Sequence, residues 1–265
     1  MSKEKNHNEN AFGREALIFL AIKHQGNWDE IYRAVKEREC PPEEEVEAMV
    51  ASLTCKVVTI LDPEYPQRLR NFYKAPFVLF YEGDLSLISD MDNCVAYVGS
   101  RNATPYGNKM ATEICSKLAE NGKTIIGGLA RGIGTSALKA ALPYGKAVAV
   151  LGNGVGYCFP PENRELQNEI KVKGLLISEY PPNLAPTANN FPLRNRIIAG
   201  LPKCVVVGGA EHRSGTIVTV GYAISFGKDV GCVPYPADEK SACNELIKEG
   251  AAMIENADDV LFMMR

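Results

Sequence analysis

The sequence predicts an α/β protein with a doubly wound, mostly parallel sheet and a small helical module before it. Two observations predict this class. Short apolar runs recur along the last two thirds of the chain, and most are separated by stretches with helical periodicity. The runs are apolar at nearly every position, which is typical of parallel strands covered by helices on both faces. The expected fold is therefore Rossmann-like.

Six apolar runs are predicted strands: 94–99, 123–128, 147–152, 174–180, 204–209 and 229–234. Four stretches between them are predicted helices: 105–120, 133–142, 163–172 and 215–226. The residues after 240 predict two more short helices that close the sheet. In such a sheet, ligands usually bind at the carboxyl ends of the strands, where loops and helix N-termini meet.

The N-terminal part predicts a different organisation. Helical patterns at 11–24, 27–38 and 41–53 indicate a small bundle that resembles a SAM-like module, preceded by a polar, disordered tail. We therefore expect three parts: a helical module (1–55), a connecting segment with a strand at 77–83 (56–93) and a Rossmann-like domain (94–265).

Composition narrows the class of partner. The net charge of −3 is unlike that of a histone-like polyanion binder. The chain has 29 basic and 32 acidic residues. Residues 1–55 contain 7 of the basic and 11 of the acidic ones, so residues 56–265, with 22 basic and 21 acidic residues, are nearly neutral. Anion binding therefore requires a local arginine cluster. The eight cysteines form no CxxC pair and no zinc-ligand spacing, so we expect reduced thiols, no metal and no cofactor.

The chain also lacks the features of a membrane or secreted protein. No apolar run approaches the roughly 18 residues of a membrane span. The first ten residues have no apolar core of a signal peptide. A cytoplasmic location is expected.

Three predicted strands each end in a turn of small residues that carries an arginine. A turn of this kind opens a helix, whose free N–H groups and partial positive charge favour an anion. Because the carboxyl ends of parallel strands share one edge, we expect the three turns to lie together. Their candidate binding residues are Gly99, Ser100 and Arg101; Arg131 and Gly132; and Ser214, Gly215 and Thr216.

The stretch NNFPLRNRIIAGL (189–201) is predicted as a fourth loop that enters the same edge, followed by a helix or strand. Arg194, Asn195 and Arg196 supply hydrogen-bond donors, and the planar fork of arginine matches phosphate. Phe191 offers a face on which a base can stack, which contributes roughly 1–3 kcal/mol per base. An aromatic ring, arginines and glycine turns without a general base indicate binding of a phosphodiester rather than its cleavage.

Each of these features has a structural alternative. A turn arginine can form a surface salt bridge, Phe191 can be a hydrophobic plug, and Asn195 can satisfy loop carbonyls. The sequence has no GxGxxG at the first turn, no Walker A motif and no Ser–His–Asp arrangement.

Seven segments, in this order, resemble the DNA-processing protein A (DprA, also called Smf) family: VAYVGSRNATPYG, GGLARGI, FPPENREL, GLLISEYPP, NFPLRNRIIAGL, RSGTIVT and CNELIKEGA. The resemblance covers about 60–262. It implies a non-enzymatic, single-stranded DNA-binding protein that protects incoming DNA, helps to load the RecA recombinase in natural transformation and forms a homodimer. It also implies that Gly99, Ser100 and Arg101 shape the phosphate site, that Phe191, Arg194 and Asn195 belong to a loop that grips the strand, and that Ser214, Gly215 and Thr216 form the opposing turn.

The chain departs from the family pattern at three positions. Gly134 and Leu138 stand where the family commonly has an aspartate and a histidine, and Ala188 replaces a lysine of some members. These changes predict an altered pocket floor and weaker phosphate contact.

An alternative is a nucleotide-binding or phosphoribohydrolase-type protein of the related lysine-decarboxylase-like fold. VVVGGAEHRSGTIVT resembles its PGGxGTxxE motif, but Thr219 stands at the place of the catalytic glutamate.

Overall fold

The computed structural model describes residues 13–239 and 241–265, so the predicted tail and the start of the first predicted helix lie outside it. The described residues form one sheet whose strands are β1 (Lys56–Thr59), β2 (Val78–Gly83), β3 (Cys94–Val98), β4 (Thr124–Gly127), β5 (Ala147–Leu151), β6 (Leu175–Ser178), β7 (Cys204–Val207), β8 (Asp229–Cys232) and β9 (Ala252–Met253).

The helices follow the predicted alternation. They are α1 (Arg14–Lys23), α2 (Trp28–Lys36), α3 (Glu43–Ala51), α4 (Gln67–Arg70), α5 (Pro105–Glu120), α6 (Ile133–Ala141), α7 (Arg164–Lys173), α8 (Asn190–Gly200), α9 (Gly215–Ser225), α10 (Cys243–Lys248) and α11 (Ala257–Met263). Two predicted caps are confirmed. Asn27 accepts hydrogen bonds from the N–H groups of Asp29 and Glu30, and Thr104 accepts one from Gly107 before Pro105 opens α5.

The strand order is β1-β2-β6-β5-β4-β3-β7-β8-β9. All pairings from β6 to β9 are parallel, whereas β1 and β2 add antiparallel strands beside β6. Strands β3 and β5 are buried at every position, because helices cover both faces. The predicted fold class is confirmed.

The order of the strands reverses at β3. From β3 the chain adds β4, β5 and β6 on one side; it then returns through α8 and adds β7 on the other side. The connections that leave the ends of β3 and β7 therefore diverge and open a crevice between them. This is the topological switch point, where open α/β sheets bind ligands.

The N-terminal helices pack on the sheet through β2. Val78 and Phe80 join the apolar cluster of α1 to α3, whereas Leu79, between them, joins the main core. This alternation follows from the two-residue period of a strand. Strands β1 and β2 thus make the 56–93 segment part of the sheet, while the division into three domains stays a prediction.

The C-terminal region contains the two short helices that the sequence predicts, α10 and α11. The sequence did not predict β9, the two-residue strand between them, which pairs with β8 through Gly231 and Cys232. Within 13–239 and 241–265, no helix combines the length and apolarity that a bilayer span requires.

Replacing Phe80 by alanine tests how the helical module is held. The ring is fully buried between β2 and the N-terminal helices. Its truncation should lower the free energy of unfolding by about 3–5 kcal/mol, because it leaves a cavity, and should speed proteolysis of the N-terminal helices. Denaturant titration and limited proteolysis measure these effects. Val172→Ala, at an 82% exposed site, is the control and should change stability by less than about 0.5 kcal/mol. Equal midpoints of denaturant unfolding for Phe80→Ala and Val172→Ala would contradict this packing.

Candidate nucleic-acid interface

A cleft of about 660 Å³ lies at the switch point. The turn after β3 and the turn after β7 form its walls, and the first turns of α8 and α9 border it. Most of the predicted binding residues line this cleft: Gly99, Ser100, Arg101, Phe191, Arg194, Asn195, Ser214, Gly215 and Thr216. The structure therefore brings together residues that are up to 117 positions apart in the sequence.

Residues 190–200 form a helix, not the loop that the sequence suggested. Phe191, Arg194, Asn195 and Ile198 line the cleft because a spacing of three and four residues places them on one face of α8. Pro192 is tolerated because it lies in the first helical turn, where its missing N–H has no partner to lose. A short helix thus holds the aromatic ring and the two polar side chains in a fixed relation.

Arg194 is buried, with 4% of its surface exposed, beneath the ends of β4 and β5. Its Nη1 donates to the carbonyl of Gly128 at 2.9 Å and to that of Val150, and its Nε donates to Oδ1 of Asn195 at 3.2 Å. Burial lowers the pKa of Arg194 to about 10, which still leaves the guanidinium charged at neutral pH. A Cβ at Gly128 would lie 2.9 Å from the guanidinium nitrogens, so a side chain at this position would displace the guanidinium group.

Phe191 lies at the centre of a group of cations and aromatic rings. The guanidinium carbons of Arg101 and Arg194 are 5.8 and 5.9 Å from its ring centroid. Its ring packs against Gly152, where a Cβ would come within 2.7 Å. The ring of Phe159 is 5.4 Å away at an angle of 40°.

The two arginines of this group have no carboxylate partner in the described part of the chain. Among the described residues, no acidic side chain lies within ion-pair distance of Arg101 or Arg194. The charge of Arg101 also contributes, after burial, to the lowered pKa of Arg194, so the two cations repel each other. An anion between them would relieve this repulsion and accept charge-assisted hydrogen bonds.

The opposite wall belongs to the turn between β7 and α9. Ser214 precedes α9 without a capping hydrogen bond from its side chain, and its Oγ donates to the carbonyl of Glu211 at 2.8 Å. The N-terminal N–H groups of Gly215 and Thr216 therefore remain available to an anion in the cleft. The Oγ of Ser100 lies 3.4 Å from Oε1 of Glu211, so this carboxylate touches the turn on the other wall.

Arg131 and Gly132 lie beside the cleft rather than in its lining. Arg131 is exposed and forms an ion pair with Glu162, at the rim of a smaller recess of about 130 Å³ that adjoins the cleft. Gly132 has φ +70°, and a Cβ there would lie 2.5 Å from the carbonyl oxygen of Ser100. This glycine therefore lets the turn after β3 lie against the start of α6.

Arg196 is not part of the cleft, contrary to the sequence-based expectation. It follows Phe191 by five positions, which turns it to another face of α8. There it is 2% exposed and forms an ion pair with the buried Glu179. Its Nε also donates to the carbonyl of Lys74 at 2.9 Å. The Arg196 side chain therefore anchors α8, and its charge is neutralised by Glu179 rather than presented to a ligand.

Sequence reasoning missed several residues of the cleft. Among them are Asn102, Phe159, Thr187 and Glu211. Arg213, the arginine of the turn after β7, and Thr219, at the place of the hydrolase glutamate, also line the cleft, although neither was among the predicted binding residues. Phe159 stands in the segment FPPENREL, which was noted as a family motif but not as a source of binding residues. The departures from the family pattern at Gly134 and Ala188 do lie in the lining, whereas Leu138 packs in the core.

The described residues contain no cluster of three or more His, Cys, Asp or Glu side chains that could hold a metal ion. All eight cysteines lie within the described residues, and none of them forms a disulfide. The arrangement offers a ligand cations, N–H donors and an aromatic face.

Fold and cleft together define a Rossmann-like α/β protein with an anion-attracting, aromatic site at the switch point of its sheet. Residues 56–265 match the sequence profile of the DNA recombination-mediator protein A family, and the chain belongs to this family. It is 41% identical over 206 residues to the DNA processing protein DprA of Streptococcus pneumoniae, which is 77% of this chain and 72% of that protein. It is 39% identical over 205 residues to protein Smf of Synechocystis. That match covers 76% of this chain but only 52% of the relative, so the chain spans about half the length of that protein.

Two solved structures are similar over most of the chain. The X-ray structure of S. pneumoniae DprA superposes with a TM-score of 0.77 at 32% identity and covers 94% of this chain and 92% of its own. The structure of Helicobacter pylori DprA, described for its mode of single-stranded DNA binding, superposes with a TM-score of 0.73 at 27% identity; the match covers 80% of this chain and 96% of that one.

Replacing Glu179 by alanine tests the structural role of Arg196. The change leaves a buried guanidinium without its carboxylate, so the free energy of unfolding should fall by about 3–5 kcal/mol. Denaturant titration measures the loss. The matched control is Glu30→Ala, which breaks an exposed pair with Arg33 and should cost at most about 1 kcal/mol. A loss at Glu179 as small as that at Glu30 would show that Arg196 does not depend on this partner.

Proposed function

We propose that the chain binds single-stranded DNA in the cleft between the turns after β3 and β7. One observation carries the proposal: Arg101 and Arg194 flank Phe191 at the switch point, and neither has a carboxylate partner among the described residues. A polynucleotide supplies an anionic partner for the two arginines and a flat partner for the ring of Phe191. Its phosphates neutralise the two guanidinium groups, and its bases offer flat apolar faces to the phenyl ring.

The proposed site favours a single strand over a duplex. A base can stack on Phe191 only if it is free of its own neighbours, which in a duplex requires unpairing and unstacking. The phosphate contacts come from Arg101, Arg194 and the uncapped N–H groups that begin α9. None of these groups recognises a particular base edge, so binding should tolerate different sequences.

The biological role that we propose is to protect incoming DNA and to help load the RecA recombinase in natural transformation, in the cytoplasm and as a homodimer. The family description as a recombination mediator supports this role. A strand that is held through its backbone and one base is shielded from nucleases but can still be transferred to RecA. The test is whether the protein slows exonuclease digestion of single strands and speeds RecA ATP hydrolysis on DNA covered by single-strand-binding protein. Sedimentation velocity tests the dimer.

We further propose that the protein acts by binding and not by catalysis. At the position of the hydrolase glutamate, Thr219 is 2% exposed and its hydroxyl donates to the carbonyl of Gly215 at 3.1 Å. The carboxylate of Glu211 lies in the cleft but faces the hydroxyl of Ser100. Nucleoside monophosphates should therefore release no free base with this protein. A turnover that Glu211→Gln abolishes would instead establish the hydrolase alternative.

Replacing Arg101 by alanine, or Arg194 by methionine, should weaken binding of single strands. Each variant loses about one phosphate contact, so the slope of log K against log salt should become less steep by about 0.7. Methionine keeps the apolar volume of the buried Arg194 site. Fluorescence anisotropy with labelled oligodeoxythymidine at several salt concentrations gives the affinity and the slope.

Arg33→Ala is the matched control, because this arginine lies on the surface of the helical module and should leave affinity and slope unchanged. Unfolding curves show whether each variant is folded. If Arg101→Ala and Arg194→Met are folded and titrate like the parent protein, the cleft is not the binding site.

A further inference from the structure

The loop between β5 and α7 exposes two aromatic side chains at its tip. Tyr157 is 43% exposed and Phe159 is 40% exposed. Single exposed aromatic side chains are common at protein surfaces, but one that borders a binding cleft is a candidate for contact with a ligand. Buried polar groups hold the backbone that carries these two rings.

Three buried amide side chains fix the backbone of this loop. Asn153 and Gln167 both donate to the carbonyl of Tyr157, at 3.0 and 2.9 Å. Asn163 donates to the carbonyl of Leu129, at 3.0 Å, and so ties the loop to the turn after β4. Each of the three amides is at most 4% exposed. These hydrogen bonds fix the backbone of the loop at the carbonyl of Tyr157 and tie it to the carbonyl of Leu129.

The fixed loop directs Phe159 into the recess of about 130 Å³ beside the cleft. The recess and the cleft share Arg101, Phe191 and Arg194 in their linings, so they form one continuous surface. The rings of Phe159 and Phe191 meet at 40°, with centroids 5.4 Å apart, and therefore do not stack face to face. Tyr157 lines neither space.

We propose that this recess is a second base-binding subsite, in which a base next to the one on Phe191 stacks on Phe159. The proposal rests on the proposed binding of single-stranded DNA in the cleft. Arg131, at the rim of the recess, is already neutralised by Glu162. The cations left for a phosphate backbone are therefore Arg101 and Arg194, which the recess shares with the cleft and which have no acidic partner in the described chain. What the recess offers a base is the ring of Phe159.

With this subsite, the backbone and the bases of a bound strand contact different groups of the protein. The backbone lies along the arginines, and two successive bases turn toward two rings whose planes differ by 40°. A duplex cannot present adjacent bases in this way, because its bases remain parallel and stacked. Phe159 would thus add to the preference for a flexible single strand.

The test is Phe159→Ala in the full chain, titrated by fluorescence anisotropy with oligodeoxythymidine. Loss of one stacked base should weaken binding about 5- to 150-fold. Phe159→Trp, which keeps a stacking surface, should bind like the parent protein. Tyr157→Ala is the matched control: it removes an equally exposed aromatic side chain of the same loop that lines neither space, and should also bind like the parent protein.

A second measurement separates stacking from a change in fold. Oligonucleotides that carry one abasic residue at successive positions should show two sensitive positions with the parent protein. With Phe159→Ala one of them should disappear, because the base at that position no longer has a partner. If Phe159→Ala binds intact and abasic strands like the parent protein while Arg101→Ala binds weakly, the second subsite is refuted and the cleft stands. If the parent protein itself binds no single strand, both proposals fail.

Discussion

The site depends on one arginine that is buried without an acidic partner among residues 13–239 and 241–265. Arg194 bonds to the carbonyls of Gly128 and Val150, so the ends of two parallel strands hold its guanidinium in place. These carbonyls accept hydrogen bonds from its Nη1 but do not cancel its charge. Arg101 lines the same cleft and adds a second positive charge. An anion placed between the two cations would be stabilised, and this is the basis of the proposed binding of phosphate.

Helix α8 separates two arginines of the same sequence motif into opposite roles. Arg194 lies on the face that borders the cleft, and Arg196 lies on a face that packs against the segment containing Lys74. Glu179 neutralises Arg196 and fixes the helix, and this leaves Arg194 as the cation presented to a ligand. The return of the chain through α8 at the switch point also brings Phe191 between the turns after β3 and β4. Position within the fold thus decides which of two equivalent side chains can bind.

Much of this arrangement follows from the sequence. Apolar strands that alternate with helical patterns predicted the parallel sheet, and glycine turns with arginines predicted the edge at which the cleft lies. Of the helix at 190–200, only the end was anticipated, as a helix or strand after a loop, because Phe191 and Pro192 interrupt the apolar pattern of its first turns. Without the helical phase of this segment, the sequence does not distinguish the roles of Arg194 and Arg196. The partners of Arg131 and Arg196 are Glu162 and Glu179, which are distant in the sequence and become neighbours only in the fold. Phe159 was missed for the same reason, because Phe191 is distant in the sequence and becomes its neighbour only in the fold.

The most direct measurement is a crystal structure of the protein with a short oligodeoxythymidine. We expect one phosphate within hydrogen-bond distance of Arg101, close to the guanidinium of Arg194, and an unpaired base against the ring of Phe191. A strand bound instead along the N-terminal helices, or at the opposite edge of the sheet with the cleft empty, would contradict this expectation.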